Sequence, residues 1–488
     1  MQTITISPFL TRALSLYIPI ILSFLIWAWC KPIKQDVHRE LGAILLASCY
    51  ALVSLPLLNW LAITLGWWHF NVESGVLWQM PIDLFVGWVI LWATIPAQLE
   101  KYGSIPLICL GLLLLDIIFM PLLSPVLVLG EQWLWGELLG VIIILFPAIY
   151  LARWIRLDRH LYARMTIIGM VYIALTFLLL PAIILAQTGG GFVLTIQNLL
   201  AKPLWQLSLR IQLTLLLPAI IGLSAVQEFV VRGQGTPIPF DPPKRLVTSG
   251  LYAYIANPMQ LGTALGLLGW GIMLGSGWVA AAGLMTVAYG LGIAAFSEQD
   301  EMPIRFGEQW VAYRGFVHNW WPRWRPINPH LTSSGSGEER RIARLYVAAS
   351  CDPCSALGQW VSTQQPLGLE ILPAETYSGE SLTRLTYESG DGQYRATGVA
   401  ALARAVEHIN LGWALLDALM RLPLLNPFLQ LVIDSLGGGP KQHIETIETH
   451  DKQVLPQPFY QVDVGVPQPV SPQPNSTDAL NPHPSHAI

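Results

Sequence analysis

Charge is what this chain has least of. Of 488 residues, 12% are Asp, Glu, Lys or Arg and 53% are apolar. Soluble domains seldom combine so little charge with so much apolar side chain. The net charge of -4 excludes nucleic acid, or any strongly charged surface, as the expected partner. Cysteine is scarce as well. Of the five, Cys30, Cys49 and Cys109 lie in or beside apolar runs, where a lone thiol behaves as a small hydrophobe. That pattern excludes a disulfide framework. Cys351 and Cys354 form one CxxC pair, and only the scattered His408 and His443 could complete a zinc site, so no metal is expected. There is no internal repeat. The first apolar run, 13–30, lacks a small-residue cleavage site and more runs follow it, which makes a secretory signal peptide a poor reading of it.

What is abundant is apolar sequence in lengths of about 20 residues, enough to cross a bilayer core. Hydropathy places about nine spans, at 13–30, 41–65, 77–97, 104–128, 133–152, 164–186, 210–231, 258–275 and 278–297. The third begins near Pro81, and the Gly-Ser-Gly at 275–277 makes the last two a tight hairpin. The fold class expected is mainly α, a polytopic membrane bundle. Basic residues follow the odd-numbered spans: Lys31, Lys34 and Arg39; Lys101; Arg153, Arg156, Arg159 and Arg164; Arg232, Lys244 and Arg245. By the positive-inside rule the N-terminus then faces out, and the loop 232–257 and everything after 297 face the cytoplasm. Trp67, Trp68, Trp133, Trp135, Trp320 and Trp321 fall near the expected interfaces, as an aromatic belt does.

The character changes after 326. Residues 327–341 read as a flexible linker by composition. Residues 342–441 read as a small soluble domain, and 442–488, rich in Pro, Gln and Ser, as a disordered tail. Residues 1–209 hold the first six spans, which carry no nameable motif, and 210–326 hold the last three with the chemistry-bearing loops.

Those loops are GTPIPFDPPKRLVTSGLYAYIANPMQLG (235–262) and EQDEMPIRFGEQWVAYRGFVHNWWP (298–322), set on either side of the hairpin. Their order and spacing resemble the isoprenylcysteine carboxyl methyltransferase and phospholipid methyltransferase superfamily across 232–326. The resemblance implies a cytosol-facing site for S-adenosylmethionine, capped by the C-terminal segment, with a lipid or isoprenoid-like acceptor entering from the bilayer of a bacterial cytoplasmic membrane. Carried over residue by residue, it implies cofactor contacts at Tyr252, Asn257, Pro258, Gly262, Glu298, Glu301, Phe306 and Gly307. Physical chemistry agrees: carboxylates such as Glu298 and Glu301 suit a cationic cofactor, and a helix N-terminus at Asn257-Pro258 suits its carboxylate. Ala256 and Gln260 stand where the superfamily carries an Arg and a Tyr, and Gln299 where it carries a second acid. A scaffold that keeps the shape without catalysis therefore stays open. Asn257 and Pro258 also read as an ordinary helix cap and first-turn proline, and Glu301 as an i,i+4 partner of Arg305.

Other polar residues fall within spans. Asp116 sits mid-span and is expected to face the bundle interior. Glu228, near the cytoplasmic end of the seventh span, is the better functional candidate. Asp83 reads as a cap of the third span. In the C-terminal region, RLYVAASCDPCSALGQWV (344–361) reads as a strand followed by a helix opened by the CxxC, where a helix N-terminus favours the thiolate. With Ala400, Ala401, Leu402, Trp413 and Leu422-Pro423, it resembles the DCC family of thioredoxin-like thiol–disulfide oxidoreductases. That implies a thioredoxin-like α/β domain with Cys351 and Cys354 as redox residues and a thiol-redox protein partner. A tethered oxidoreductase is thus a third reading.

Overall fold

The computed structural model describes residues 7–29, 37–72, 74–236, 243–327, 342–379 and 381–440. The expected linker, apart from Ile327, and the expected tail lie outside these, as do Cys30, His443 and the proline-rich part of the loop at 237–242. Among the described residues, seven helices are long and apolar enough to cross a membrane. Six are consecutive: α1 (Pro8–Trp29), α2 (Val37–Thr64), α3 (Ile82–Leu99), α4 (Ile105–Leu123), α5 (Trp133–Arg156) and α6 (Leu161–Gln187). Two shorter helices follow, α7 (Phe192–Leu200) and α8 (Leu204–Thr214), and then the seventh, α9 (Leu216–Gly233).

The hairpin corrects the count of nine. α10 (Pro258–Leu274) has 17 residues and α11 (Gly277–Tyr289) has 13, with a π-helical turn over Gly290–Ala294. At 1.5 Å per residue, α10 reaches about 26 Å, short of a full hydrocarbon core. The turn between them is the expected one. Gly275 takes φ +68, and the Ser276 hydroxyl accepts from Val279 N–H at 3.4 Å. The chain then leaves the hairpin through α12 (Ala295–Phe306) and α13 (Glu308–Phe316).

The third helix starts at Ile82 rather than 77, because the chain first makes a two-residue hairpin of β2 (Val76–Leu77) with β3 (Met80–Pro81). Within α3, α5 and α6, a π-helical turn (Ile90–Thr94, Val141–Leu145, Ala174–Leu179) ends just before a residue followed by Pro96, Pro147 or Pro181. Proline lacks the N–H and crowds the turn behind it, so the helix widens there.

The core of the N-terminal bundle runs along α2, where Ala43, Ala47 and Ala51 are fully buried among Ile144, Ile149, Leu151 and Ile155 of α5. Small residues four apart let two helix backbones approach closely. The two ends of the bundle differ. At one, β1 (Trp68–Phe70) pairs antiparallel with β4 (Leu127–Leu129). At the other, Glu40 binds Arg156 at 2.7 Å and Lys101 at 3.1 Å, and Arg156 binds Glu100 at 2.5 Å. Asp158 joins that end, binding Arg164 at 2.9 Å and Lys244 at 2.6 Å. The basic loops after α3, α5 and α9 therefore share one end.

The C-terminal region is a four-stranded sheet with helices. β5 (Ala343–Val347) leads through α14 (Asp352–Thr363) to β6 (Leu369–Pro373), its parallel neighbour. β7 (Thr386–Glu388) pairs antiparallel with β5, and β8 (Arg395–Thr397) with β7, giving the order β6-β5-β7-β8. Alternation along β5 and β6 sends Leu345, Val347, Leu369 and Ile371 into one core. Three helices follow: α15 (Val399–Val406), α16 (Leu411–Met420) and α17 (Leu425–Ile433). α16 packs Leu411, Ala414 and Leu415 against Tyr254, Tyr313 and Ile327, so this region is seated on the segment that leads into α10.

Candidate functional site at the mouth of the hairpin

The segment before α10 folds as a 3-10 turn over Gly250–Ala253, and Gly250 takes φ +59. A strap from 317 to 327 then clamps it by backbone bonds. His318 C=O accepts from Ala256 N–H at 2.9 Å, Tyr254 C=O from Arg323 N–H at 3.0 Å, and Ala253 C=O from Ile327 N–H at 2.9 Å. The Tyr313 hydroxyl adds a bond to Tyr252 C=O at 2.8 Å. Residues 252–256 are accordingly all buried.

Asn257 is the residue that caps α10 by position, yet its side chain makes no capping bond. It turns instead to α12, where Nδ2 donates to Glu298 Oε2 at 3.5 Å. The N-cap residue of α10 thus meets the first acid of the second loop. Burial pushes the Glu298 carboxyl up, against the lowering effects of the Asn257 bond and of Arg314. Arg314 itself donates to Val317 C=O at 2.6 Å and lies over the Trp310 ring.

In the segment before α10, in α10 and in the strap, buried polar atoms have no partner among the described residues: Tyr252 Oη, Gln260 Oε1, Asn319 Oδ1, Trp320 Nε1 and Arg323 Nη1. Gln260 and Trp320 converge on Gly290, where an added Cβ would fall 2.4 Å from Gln260 Oε1 and 2.4 Å from the indole. Buried polar groups normally find partners, so a group of unpaired ones from three elements is a place built for a polar ligand. Burial raises the Tyr252 hydroxyl well above its ordinary range, aided by Tyr313, Glu228 and Glu298 nearby, so it stays a donor.

The other expected site residues are placed differently. Pro258 is the first residue of α10 and is buried. Gly262 faces α9: an added Cβ would lie 2.9 Å from Gly222 Cα, so its lack of a side chain serves a helix crossing. Glu301 is exposed on α12. Phe306 is half-buried, and Gly307, at φ +56, forms the break between α12 and α13. Trp320 and Gln260 were the residues sequence reasoning passed over. Trp320 reads as belt and Gln260 as a missing Tyr, and only the fold brings them together.

Glu228 is not free to act at this site. It is 1% exposed and accepts from Arg404 at 2.6 Å, from Arg421 at 3.2 Å and from the Ser249 hydroxyl. Asp417 in turn binds Arg421 through both oxygens, at 2.6 and 2.7 Å. The candidate acid is thus the centre of a buried ion-pair group that joins α9 to α15 and α16. Asp83 is likewise more than a cap, binding Arg12 of α1 at 2.5 Å. Asp116 faces the bundle interior as expected. It shares a small cavity of ≈ 20 Å³ with Glu137, Asn59, Trp68, Trp88 and Trp92.

Cys351 is buried at the N-cap position of α14, with its Sγ 2.6 Å from that of Cys354. Glu375 clamps the preceding loop by accepting from the N–H groups of Ala349 and Ser350 at 3.2 and 3.1 Å. Its carboxyl is held low: burial raises it, and these bonds outweigh that. His408 is tied into the sheet, bonded to Leu367 C=O at 2.7 Å and the Tyr387 hydroxyl at 3.1 Å. Among the described residues no group of three or more His, Cys, Asp or Glu is placed to hold a metal.

Residues 213–309 match the family model for phospholipid methyltransferase. That segment runs from α8 through α9 and the hairpin to the start of α13. No curated protein and no solved structure matches the chain.

Proposed function

We propose that the hairpin mouth is a methyl-transfer site that takes S-adenosylmethionine from the cytosol and a lipid or isoprenoid-like acceptor from the bilayer. The observation that carries this is the Asn257–Glu298 contact, inside the segment that matches the methyltransferase model, with Tyr252 Oη and Gln260 Oε1 of that segment buried and unpartnered among the described residues. The cofactor supplies an electrophilic methyl on a sulfonium, and displacement from it is in-line, so positioning provides much of the rate.

The chain's own residues supply that positioning. Glu298 offers the negative charge a cationic cofactor needs, and Asn257 orients it. The Tyr252 hydroxyl and Trp320 N–H are donors for the anionic or hydroxyl groups of the same molecule. The strap 317–327 excludes water from behind. The Arg and Tyr that the superfamily carries at 256 and 260 are absent here, and the charge of Arg314 on Glu298 fits the first role. Titrating the purified full chain with S-adenosylmethionine tests the reading. Saturable binding that Glu298→Gln weakens is expected. Absence of binding at millimolar cofactor leaves a non-catalytic scaffold as the surviving interpretation.

For 342–440 the reading is a thioredoxin-like redox domain facing a thiol-redox partner. A parallel β–α–β unit followed by two antiparallel strands and a helix, with the CxxC at a strand-to-helix junction, supports it. Alkylation rates of Cys351 and Cys354 against pH test it. A midpoint below the ordinary thiol range is expected, and one at or above about 8.5 sinks it.

A further inference from the structure

The last described helix is inside out for water. α17 and its N-cap residue leave Leu424, Phe428 and Leu431 exposed, at 89, 59 and 68%. Spaced four and three residues apart, these three lie on one face. Its polar residues turn inward instead. Gln430 Oε1 accepts from Val399 N–H at 2.8 Å, and its Nε2 donates to Asp434 at 2.7 Å. Asp434 also takes both arms of Arg384, and Asn426 Nδ2 donates to Met420 C=O at 3.2 Å. A helix at a water-facing surface arranges these the other way round.

The position of α17 says what covers this face. α16 and α17 meet at 90° and together are apolar enough for a membrane segment. α16 spends its apolar face on Tyr254, Tyr313 and Ile327, so it does not enter lipid. Its end is fixed to the spanning helix α9, where Gln227 Nε2 donates to Arg421 C=O at 3.3 Å. Gln227 lies six residues before the end of α9 at Gly233, about 9 Å back along the helix axis. α17 therefore starts beside the last turns of a membrane-spanning helix, where the lipid-facing surface of the bundle continues. With nine residues it is about 14 Å long, too short to cross. A short helix with one apolar face at that level lies in the plane of the interface.

We infer that α17 is a monotopic membrane foot. It rests in the boundary between headgroups and acyl chains, with Leu424, Phe428 and Leu431 in the lipid. It thereby fixes the CxxC-bearing region at the bilayer surface at a second point besides the Glu228 ion pairs.

The test uses the full-length protein in phosphatidylcholine nanodiscs, with a fluorescent non-natural residue at Leu431, at Leu424, or at exposed Gln359 of α14 as a control. Spin-labelled lipid bearing its nitroxide near the headgroup should quench the probes at Leu431 and Leu424 several-fold more than the one at Gln359. Aqueous iodide should show the reverse order. Equal iodide access at all three positions overturns the inference. Protection from both quenchers at Leu431 and Leu424 also overturns it, because a protein surface then covers the face.

Discussion

Glu228 on α9 and Arg404 on α15 lie 176 residues apart in sequence and 2.6 Å apart in space, with Arg421 completing the contact at 3.2 Å. All three are at least 95% buried. Removing Glu228 leaves Arg404 with Glu407 alone and Arg421 with Asp417 alone, and breaking a buried ion pair costs up to about 3–5 kcal/mol. Glu228→Gln should therefore loosen the C-terminal region from the hairpin. Limited proteolysis would show it as faster cleavage between 328 and 341. Replacing the whole group, Glu228, Arg404, Arg421, Asp417 and Glu407, by apolar residues should restore much of the resistance, since no buried charge is then left without its partner.

Glu298 and Asn257 give a second expectation. A charge-assisted hydrogen bond contributes about 1.5–3 kcal/mol, so Glu298→Gln should weaken S-adenosylmethionine binding roughly 10- to 100-fold. Glu301→Gln, on the exposed side of α12, should leave it within about two-fold, well under 1 kcal/mol. Burial raises the Glu298 pKa, so its charge is lost at a higher pH than for an ordinary glutamate. Binding should accordingly weaken as pH falls, and begin to do so sooner than an exposed carboxylate would dictate. Calorimetric titration at several pH values measures both effects.

Gly262 separates packing from chemistry. An added Cβ would meet Gly222 Cα and N at 2.9 Å, both backbone atoms, so neither α9 nor α10 can yield by a side-chain rotation. Gly262→Ala should cost about 1–3 kcal/mol through overpacking, seen as a lower melting temperature in detergent. The cofactor affinity of the protein that remains folded should stay unchanged. A selective loss of affinity with normal stability would return Gly262 to the cofactor site.

The membrane-spanning helices were legible because hydrocarbon imposes one rule on every span, a long run without charge. The tight turn at 275–277 was legible for a local reason, the left-handed preference of glycine. From these two, the approach of the loop before α10 to the segment after α11 follows without a structure, but the contact of Asn257 with Glu298 does not. Glu228 could not be read this way. Its partners lie in a region of different character, and only tertiary packing turns a candidate site acid into an ion-pair anchor. Trp320 shows the same limit. Its neighbour Trp321 is 79% exposed, whereas the Trp320 indole N–H is buried beside Gln260 and Gly290, and hydropathy cannot separate adjacent tryptophans. The outward face of α17 was hidden because its period matches that of any amphipathic helix, and period does not say which side is inside.

His408 carries the pH dependence of the CxxC region. Burial pushes its pKa down to about 4 from an ordinary 6.5, with Arg404 adding to the effect and the bond to Leu367 C=O opposing it. The sign follows from linkage. Between these two values the unfolded chain binds the proton and the folded one does not, so acid favours unfolding. The stabilisation is present above about pH 6.5 and is lost as pH falls toward 4, a change of about 3 kcal/mol. NMR of the His408 ring in the intact protein should show a midpoint well below the ordinary 6.5. Chemical denaturation followed at the sheet should show the stability of this region falling over the same interval. His408→Gln keeps a hydrogen-bonding side chain and removes the titration, so it should flatten that part of the profile. An unchanged profile would mean that carboxylates such as Glu375 and Asp391, both held low in the folded chain, control the acid response instead.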